Sequence, residues 1–386
     1  KVNSIKGVAA STAALTINNT DGTCTANITN KPNRNLIING AMQVAQRGTS
    51  ATTNGYGSVD RFQVNYDSGL TEAPTQEQLN LSSSDTPYAS GFRTAFRITN
   101  GNQTSQDAND YIQLVQKIEA QDIANSGWNY TSNSSNITLS FWVRASIAQT
   151  FYVKINANDA ARSFTFPINV TTSWQKLTKT ISGDSNLVFN NDTGTGMEIR
   201  FIPYYGTSYT DSGHSINTWI VSTGTNQTPD NANTWFSGND ATFDVTGVQL
   251  EVGDTATDFE HRSFAQELAL CQRYYFRVGV NQGTYYGGDI AFGLTDNDND
   301  SCNVVTNYPT QMRISPTAVE HTGSASDYKV RVTTTQTCDN VPVFISATPF
   351  LGKTNFRKGS HGYGTAVPIF AQTANSSSFL AWSAEL

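Results

Sequence analysis

The sequence predicts an all-β protein, and its composition and its alternating apolar pattern are the two observations that predict it. Only 14% of the 386 residues are charged, and Lys and Glu, which favour helix surfaces, are scarce. Neutral polar residues take their place: Thr favours strands, whereas Asn, Ser and Gly favour turns. Apolar and polar residues alternate in many short segments, most clearly over residues 137–143, as expected of half-buried strands.

The order of these segments predicts four consecutive parts. Residues 1–34 contain two or three short β-segments and form an extended N-terminal arm, which cannot bury a core of its own. Residues 35–262 carry nine or more strands at a spacing typical of a two-sheet jelly-roll β-sandwich. Residues 263–276 form a short connector helix, and residues 277–386 form a second, smaller C-terminal β-sandwich.

The individual strands follow from the alternation and from the turn residues between them. In the arm they lie near Ile5 and over residues 15–17. In the jelly roll the clearest of them cover residues 92–98, 112–118, 137–143, 151–155, 163–170, 174–181, 198–205 and 242–252. In the second sandwich they cover residues 289–294, 304–308, 327–332, 341–347, 366–371 and 379–384. Because residues 379–384 complete that sandwich, we expect truncation there to be harmful.

The connector helix is predicted from its first turn. Ser263 and Gln266 have the spacing of a capping box, in which each side chain bonds the other residue's backbone N–H. An apolar stripe at helical spacing follows, formed by Phe264, Leu268, Cys271 and Tyr275. These positions predict a helix of about 12 residues between the two sandwiches.

Charge and cysteine spacing exclude several classes of function. A net charge of −7 lacks the basic surface of a nucleic-acid-binding protein, so no nucleic-acid partner is expected. No segment approaches the ~18 consecutive apolar residues of a transmembrane helix, so no membrane insertion is expected. No C-x-x-C pair indicates a zinc site, and of the four cysteines only Cys302 and Cys338 share a predicted domain, where their pairing as a disulfide stays open.

A long aromatic segment between two predicted strands, residues 203–240, is the candidate binding loop. Aromatic ring faces stack on the C–H groups of sugars, while neighbouring amides and hydroxyls bond the sugar hydroxyls. The alternative is that these rings cover one end of the sandwich or fill a subunit interface. Trp142 and Trp174 lie inside strands and are expected to pack. The candidate sugar-binding residues are Tyr204, Tyr205, Tyr209, Trp219 and Trp235.

An acidic segment is the candidate metal site. Asp296, Asp298 and Asp300 alternate with Asn, and such a spacing of carboxylates could hold a structural Ca²⁺. An EF-hand would need Gly and Glu where this chain has Ser301 and Asn307. The alternative is a solvated acidic turn. No other cofactor is expected.

The sequence contains no recognised catalytic motif. It lacks G-x-S-x-G, H-E-x-x-H and a phosphate-binding loop. His361 lies in a glycine-rich turn, and His261 is expected to pack or hydrogen-bond beside the connector helix. A glycosidase needs two carboxylates about 5–9.5 Å apart, and no such pair is marked out. We therefore expect a protein that is not an enzyme.

Three separated motifs carry a family resemblance. The first is NLIINGAMQVAQRGT at residues 35–49, followed by VDRF at 59–62. The second is ITLSFWVRA at residues 137–145, followed by SWQKL. The third runs from FDVTGVQLEVG at residues 243–253 to CQRYY at 271–275. In this order they resemble a domain found in many bacteriophage tail-fibre and virion structural proteins.

The resemblance implies a jelly roll similar to carbohydrate-binding modules, carried by a virion protein on the phage tail or capsid surface. It also implies a homotrimer, with residues 1–34 attaching the chain to other virion proteins. Our hypothesis is a non-enzymatic tail fibre that binds host-surface polysaccharide. Two alternatives stay open: a capsid decoration or structural fibre protein without glycan binding, and a tail-associated glycan hydrolase.

Overall fold

The N-terminal arm contains the short strands that the sequence predicts. The computed structural model describes residues 4–5, 15–17, 20, 24–26, 32–279, 288–296 and 300–386. Within the arm, three antiparallel strands form a small sheet in the order β1-β2-β3. These strands are β1 (Ser4–Ile5), β2 (Leu15–Ile17) and β3 (Cys24–Ala26).

Twelve strands and two short helices follow. The strands are β4 (Ser50–Ala51), β5 (Phe62–Tyr66), β6 (Thr75–Asn80), β7 (Thr94–Thr99), β8 (Tyr111–Glu119), β9 (Asn136–Ala145), β10 (Gln149–Ala157), β11 (Arg162–Val170), β12 (Gln175–Ser182), β13 (Thr195–Tyr205), β14 (Trp219–Val221) and β15 (Thr242–Val252). The helices, which the sequence did not predict, are α1 (Thr86–Ala89) and α2 (Ala120–Ala124). Their length of one turn is too short for a periodic apolar pattern.

These strands form two antiparallel six-stranded sheets, which confirms the predicted jelly roll. Sheet A has the order β14-β11-β10-β13-β8-β5, and sheet B has the order β12-β9-β15-β7-β6-β4. Their inner faces bury one continuous apolar core. Aromatic pairs cross that core edge to face: Phe141 lies 5.0 Å from Phe201, and Phe151 lies 5.0 Å from Phe243. This arrangement is the preferred one for aromatic rings.

Helix α3 (Phe264–Gln272) confirms the predicted capping box but not the predicted apolar stripe. The Ser263 hydroxyl accepts from the Gln266 backbone N–H, and the Gln266 carboxamide oxygen accepts from the Ser263 N–H. The side chain of Phe264 is 56% exposed, and Tyr275 belongs to the next strand. The stripe is wrong because the helix ends at Gln272, before a third turn can bring Tyr275 onto its face.

In the described residues of the C-terminal unit there are ten strands and one 3₁₀ turn, Ala325–Asp327. The strands are β16 (Tyr275–Val278), β17 (Asp289–Thr295), β18 (Ser301–Asn307), β19 (Glu320–His321), β20 (Tyr328–Arg331), β21 (Thr335–Thr337), β22 (Val343–Ala347), β23 (Leu351–Arg357), β24 (Pro368–Thr373) and β25 (Leu380–Ser383). The seven-stranded sheet C has the order β21-β20-β24-β17-β18-β23-β22, and the three-stranded sheet D has the order β16-β25-β19.

Sheets C and D share one apolar cluster, which confirms the second, smaller sandwich. Trp382 from sheet D and Phe356 from sheet C are both fully buried in it. Cys302 and Cys338 lie in the same cluster, each as a thiol. Burial, and then the neighbouring Cys302 thiol, raises the pKa of Cys338 to about 12.

The first family motif connects the jelly roll to α3 and sheet D. The buried Asn39 side chain donates to the carbonyls of Val44 and Asp60, at 2.8 and 2.9 Å. Its backbone N–H donates to Glu267 on α3. Gln46 Nε2 donates to the Tyr275 carbonyl at 2.7 Å.

No helix within the described ranges is both long and apolar enough to cross a bilayer.

Candidate functional site

The structure places three of the predicted sugar-binding aromatics in the core. Tyr204 stacks on Phe236 with ring centroids 4.0 Å apart, and Trp235 is fully buried, with its indole N–H on the Thr242 carbonyl at 2.9 Å. Trp219 lies on β14, the edge strand of sheet A, and its indole N–H donates to the Ser182 carbonyl on β12, the edge strand of sheet B. Their ring faces are covered by protein, which corrects the predicted stacking platform in favour of the packing alternative.

The two remaining tyrosines lie on the outer face of sheet A. Tyr205, Tyr209 and Tyr111 form a cluster with centroid distances of 5.6 to 6.4 Å. Tyr205 is buried and donates to Gln113, and burial raises its pKa to about 12. Tyr209 is half-buried, so it alone among the five predicted residues keeps a partly open ring.

The aromatic segment folds back over sheet A and covers a group of charged side chains. Gln227 Oε1 accepts from Lys154 Nζ at 3.2 Å and from Arg200 Nη1 at 3.3 Å. Arg200 also forms an ion pair with Glu198 at 2.5 Å. Burial lowers the pKa of Lys154 to about 7. This covered face offers little room for a ligand, because Lys154 and Gln227 are both buried.

The outer face of sheet B carries an open cavity of about 330 Å³. We call it the outer-face pocket. It lies over the middle of β9, where neighbouring strands and a loop contribute aromatic and polar side chains. Its lining residues are Ser90, Phe92, Ser140, Trp142, Lys176, Gly247, Asp258, Phe259 and His261.

Strand alternation places Trp142 in this pocket. Phe141 and Val143 point into the core, so Trp142 lies on the opposite face of β9. The register sets its neighbours, with Lys176 opposite it on β12 and Thr246 opposite it on β15. Trp142 is half-buried, which leaves part of the indole open to the pocket. Trp142 also packs against the buried cluster that contains Phe92 and Trp174, which confirms the expectation that it packs.

A bulge in β15 shapes the pocket floor. The register with β9 shifts between Thr246 and Gln249, and Gly247 within the bulge has φ +61°. A Cβ atom at Gly247 would lie 2.6 Å from the ring of Phe92. Gly is therefore required twice over, for the backbone conformation and for the space that Phe92 fills.

Three rings form one wall of the pocket. Phe92 lies 4.8 Å from Phe259 and 5.1 Å from His261, and the latter two rings are 4.9 Å apart. His261 Nε2 hydrogen-bonds the Ser90 carbonyl at 3.0 Å. These contacts confirm the expectation that His261 packs and hydrogen-bonds beside α3.

Ion pairs hold the charged side chains near the outer-face pocket in place. The buried Asp244 accepts from Arg97 at 2.7 Å and from Arg144 at 2.8 Å. Hydrogen bonding to Asp244 raises the pKa of Arg97. Arg144 also pairs with Asp85, which accepts from the Trp174 indole N–H at 2.9 Å. Trp174 is buried in this framework, which confirms that it packs.

The chemistry of the pocket is that of a binding surface with aromatic walls and a polar rim. Ser140 supplies a hydroxyl, and Lys176 and Asp258 supply exposed charges of opposite sign. Asp258 is the one carboxylate among the lining residues, whereas glycoside hydrolysis uses a pair. Aromatic faces beside such groups match a sugar, which presents C–H groups on its faces and hydroxyls at its edge.

Of the candidate calcium residues, Asp296 and Asp300 lie where the inner strands β17 and β18 of sheet C end and begin, and neither lines the outer-face pocket. Asp296 accepts from Asn303 Nδ2 at 2.9 Å, and Asp300 accepts from the Ser360 N–H at 3.4 Å. Asp298 lies outside the described residues. Elsewhere in the described chain, no three His, Cys, Asp or Glu residues are grouped so as to hold a metal ion. The calcium site stays a prediction.

Comparison with known proteins yields structural similarities alone. No protein-family model matches the chain. No curated protein matches it either. Among solved structures, it is similar to the enzymatically active domain of tailspike protein 4 of bacteriophage CBA120, with 13% identity and a TM-score of 0.31. That match covers 58% of this chain and 22% of the tailspike chain, so this protein spans about a fifth of its length.

Two further similarities are to carbohydrate-binding modules. A family 4 module shares 16% identity with a TM-score of 0.29, over 56% of this chain and 99% of that one. The family 11 module of the cellulosomal cellulase Lic26A-Cel5E of Clostridium thermocellum shares 11% identity with a TM-score of 0.27, over 53% and 95%. At these identities and TM-scores, the similarities assign the chain no ligand.

Proposed function

We propose that this protein is a non-enzymatic fibre protein of a bacteriophage virion that binds host-surface polysaccharide at the outer-face pocket. The observation that carries the binding proposal is the partly open indole of Trp142 inside a cavity of about 330 Å³. The fibre role is supported by the three motifs within residues 35–62, 137–177 and 243–275, whose order resembles that in phage fibre proteins.

A short saccharide segment fits the chemistry of this pocket. One face of a sugar ring stacks on Trp142, and the half-buried Phe259, which packs on the buried Phe92, contacts a second face. Ser140 and the exposed Lys176 and Asp258 then bond hydroxyls at the ring edge. Because the two charges have opposite sign, the pocket favours a neutral or weakly charged sugar over a strongly anionic one.

Several copies of the chain make weak binding effective. A shallow stacking site binds one sugar segment weakly, but linked sites on one particle raise avidity by about 10²–10⁴ without new contacts. We propose a homotrimer carried on the phage tail or capsid surface, with residues 1–34 attached to other virion proteins. The family resemblance of the motifs supports this arrangement.

The test measures binding of the full chain to host-surface polysaccharides on a glycan array, followed by titration calorimetry. Trp142→Ala should abolish the array signal. Tyr209→Ala is the matched control, because Tyr209 is also a half-buried aromatic on the outer face of the jelly roll, but on sheet A. Thermal unfolding of both variants checks that each is folded, and Lys176→Ala, at an exposed rim position, serves if Trp142→Ala is unstable.

The outcomes separate the alternatives. If Tyr209→Ala loses binding and Trp142→Ala keeps it, the site is on sheet A and the pocket assignment is wrong. If the wild-type chain binds no host polysaccharide, a capsid decoration or structural fibre role replaces the proposal. If reducing ends are released during incubation, the protein is a glycan hydrolase.

A further inference from the structure

Two cations on the outer face of sheet A converge on one side-chain amide. Lys154 on β10 is the register partner of Arg200 on β13, and both donate to Gln227 Oε1, at 3.2 and 3.3 Å. Lys154 is 1% exposed, and within the described residues Gln227 Oε1 is the one hydrogen-bond acceptor of its Nζ, although an ammonium has three donors. A buried charge with a single neutral acceptor destabilises a fold. Charged groups held at such a cost cluster at functional sites.

Gln227 belongs to an exposed segment that crosses over sheet A. We call residues 222–228 the strap; it follows β14 directly. Residues 223–225 are exposed. The Gln227 carbonyl accepts from the Thr165 hydroxyl on β11 at 3.2 Å, so Gln227 attaches the strap to the sheet through its backbone as well as its side chain. A segment with few buried side chains opens at a low cost in free energy. The strap is therefore a removable cover over the two cations.

Two buried polar atoms beside Gln227 have no hydrogen-bond partner among the described residues. Asn156 lies two positions after Lys154 on the same face of β10, and its Oδ1 accepts no bond, whereas its Nδ2 donates to Glu198 at 3.2 Å. Thr228 is the next residue of the strap, and its hydroxyl makes no bond. Asn156 is 6% exposed and Thr228 is 0% exposed. Because buried polar atoms nearly always have partners, these two atoms indicate a place for the hydroxyl groups of a ligand.

A carboxylate would bind the two cations more strongly than the Gln227 amide does. It accepts the same two hydrogen bonds and adds Coulombic attraction, which is strong away from water. Lys117 adds a third cation in the adjacent row of the sheet, where the one carboxylate, Glu198, already pairs with Arg200 at 2.5 Å. The two rows therefore carry three cations and one anion, and they favour an anionic ligand.

Tyrosine rings next to the strap offer a surface for the rest of such a ligand. The Gln227 N–H donates to the Tyr209 carbonyl at 2.8 Å. Tyr209 and Tyr111 are both half-buried, with ring centroids 5.6 Å apart. Aromatic rings stack on the C–H groups of sugars, and sugar hydroxyls suit the unpartnered atoms of Asn156 and Thr228. A sugar acid combines the carboxylate, the hydroxyls and the apolar ring face that this place requires.

We propose that the face of sheet A beneath the strap is a second binding site, which takes a uronic acid residue of an acidic polysaccharide. The ligand's carboxylate displaces Gln227 from Lys154 and Arg200. In the closed state Gln227 occupies the place of that carboxylate, so the strap keeps the site shut until a ligand competes for the two cations. The outer-face pocket lies on sheet B, so this second site goes beyond the proposed function and does not depend on it.

The test is titration calorimetry of the full chain with an oligomer of galacturonic acid at pH 6, below the lowered pKa of Lys154. Lys154→Met should reduce the affinity at least about tenfold, because a bond between two charges is lost. Gln227→Ala should raise the affinity at least about threefold, because the competitor for the cations is gone and the open state is more populated. Lys353→Met is the matched control: it removes the same charge from β23 of sheet C and should keep the wild-type affinity.

Gln227→Glu should have the opposite effect to Gln227→Ala. Its own carboxylate pairs with both cations, so the affinity should fall at least about tenfold, and this variant decides the question if Gln227→Ala is unfolded in a thermal scan. The proposal is overturned by a wild type that does not bind the oligomer at millimolar concentration, by an unchanged affinity in Lys154→Met, or by a reduced affinity in Gln227→Ala. Equally tight binding of a polyglutamate of the same length would replace the sugar acid with an acidic peptide.

Discussion

Glu385 forms an ion pair with Arg61, 324 positions earlier in the chain. Arg61 is 1% exposed, its guanidinium lies 3.4 Å from the centre of the Tyr274 ring, and its Nη2 donates to the Lys117 carbonyl at 2.7 Å. Burial opposes the charge on Arg61, but the adjacent Glu385 carboxylate outweighs it and raises the pKa of Arg61. The pair therefore joins the jelly roll to the segment that follows β25, the central strand of sheet D.

Neutralising this pair should destabilise the protein strongly. Glu385→Gln leaves the Arg61 charge buried without its partner, and we expect a loss of about 3–5 kcal/mol in the free energy of unfolding, measured with urea. The control is Arg357→Gln, which breaks the pair with Asp300, whose side chains are 49% and 44% exposed. That exposed pair should contribute less than about 1 kcal/mol. Equal effects of the two substitutions would contradict the role assigned to Glu385.

The buried Lys154 should make stability rise with pH. Burial lowers its pKa from 10.5 to about 7, so between these values the unfolded chain binds a proton that the folded chain lacks. Unfolding therefore becomes less favourable as pH rises above about 7, and below that value the folded state carries the full cost of a buried ammonium. Lys154→Met should stabilise the protein by roughly 1–3 kcal/mol at pH 6.

The advantage of Lys154→Met should shrink by roughly 2.5–3 kcal/mol between pH 6 and pH 9, because the wild type loses its buried charge over that range. Urea unfolding at several pH values measures it. Gln227 keeps its bond from Arg200, so the substitution leaves no new orphaned acceptor. Lys176→Met, at an exposed position, is the control and should show no such pH dependence. A pH-independent difference for Lys154→Met would contradict the lowered pKa.

Gly247→Ala should destabilise sheet B and close the outer-face pocket. The methyl group would meet the Phe92 ring at 2.6 Å while the backbone stays at φ +61°. We expect a loss of about 2–3 kcal/mol, combining backbone strain and overpacking, measured as a lower urea midpoint. Gly224→Ala has no neighbouring atom within 4 Å and should change stability by less than about 0.5 kcal/mol.

Glycan binding should depend weakly on salt. Stacking on Trp142 is not ionic, and the two charges at the pocket rim are exposed and of opposite sign. Raising the salt concentration tenfold from physiological strength should change the affinity by less than about threefold, as measured by calorimetry. A tenfold or larger loss would indicate that ionic contacts, rather than ring stacking, carry recognition.

The alternation of apolar residues predicted most of the strands and the two sandwiches, and the Ser263–Gln266 spacing predicted the helix cap. The same alternation also contains the position of Trp142: because residues 137, 139, 141 and 143 face the core, residue 142 must face outward. The alternation along a strand therefore assigns each side chain to one face of the sheet, even where the side chain is large and apolar and would be expected in the core.

Tyr209 and Trp235 could not be placed from the sequence because loop residues have no periodicity that fixes their direction. Tyr204 and Tyr205 are the last two residues of β13, where alternation places the Tyr204 ring in the core and the Tyr205 ring on the outer face. The pocket itself joins Phe92, Trp142 and Phe259, which come from three distant parts of the chain. Which distant residues lie side by side depends on the order of the strands in the sheet, and local sequence patterns do not encode that order.

The Glu385–Arg61 ion pair also affects how the jelly roll and the C-terminal unit respond to mechanical force. The polypeptide leaves the jelly roll through α3 and β16, and β25 returns beside β16 to place Glu385 against Arg61. A force that pulls sheet D away from the jelly roll is therefore carried both by the covalent chain through α3 and β16 and by the Glu385–Arg61 ion pair. The two units should therefore resist separation together instead of hinging at a single linker.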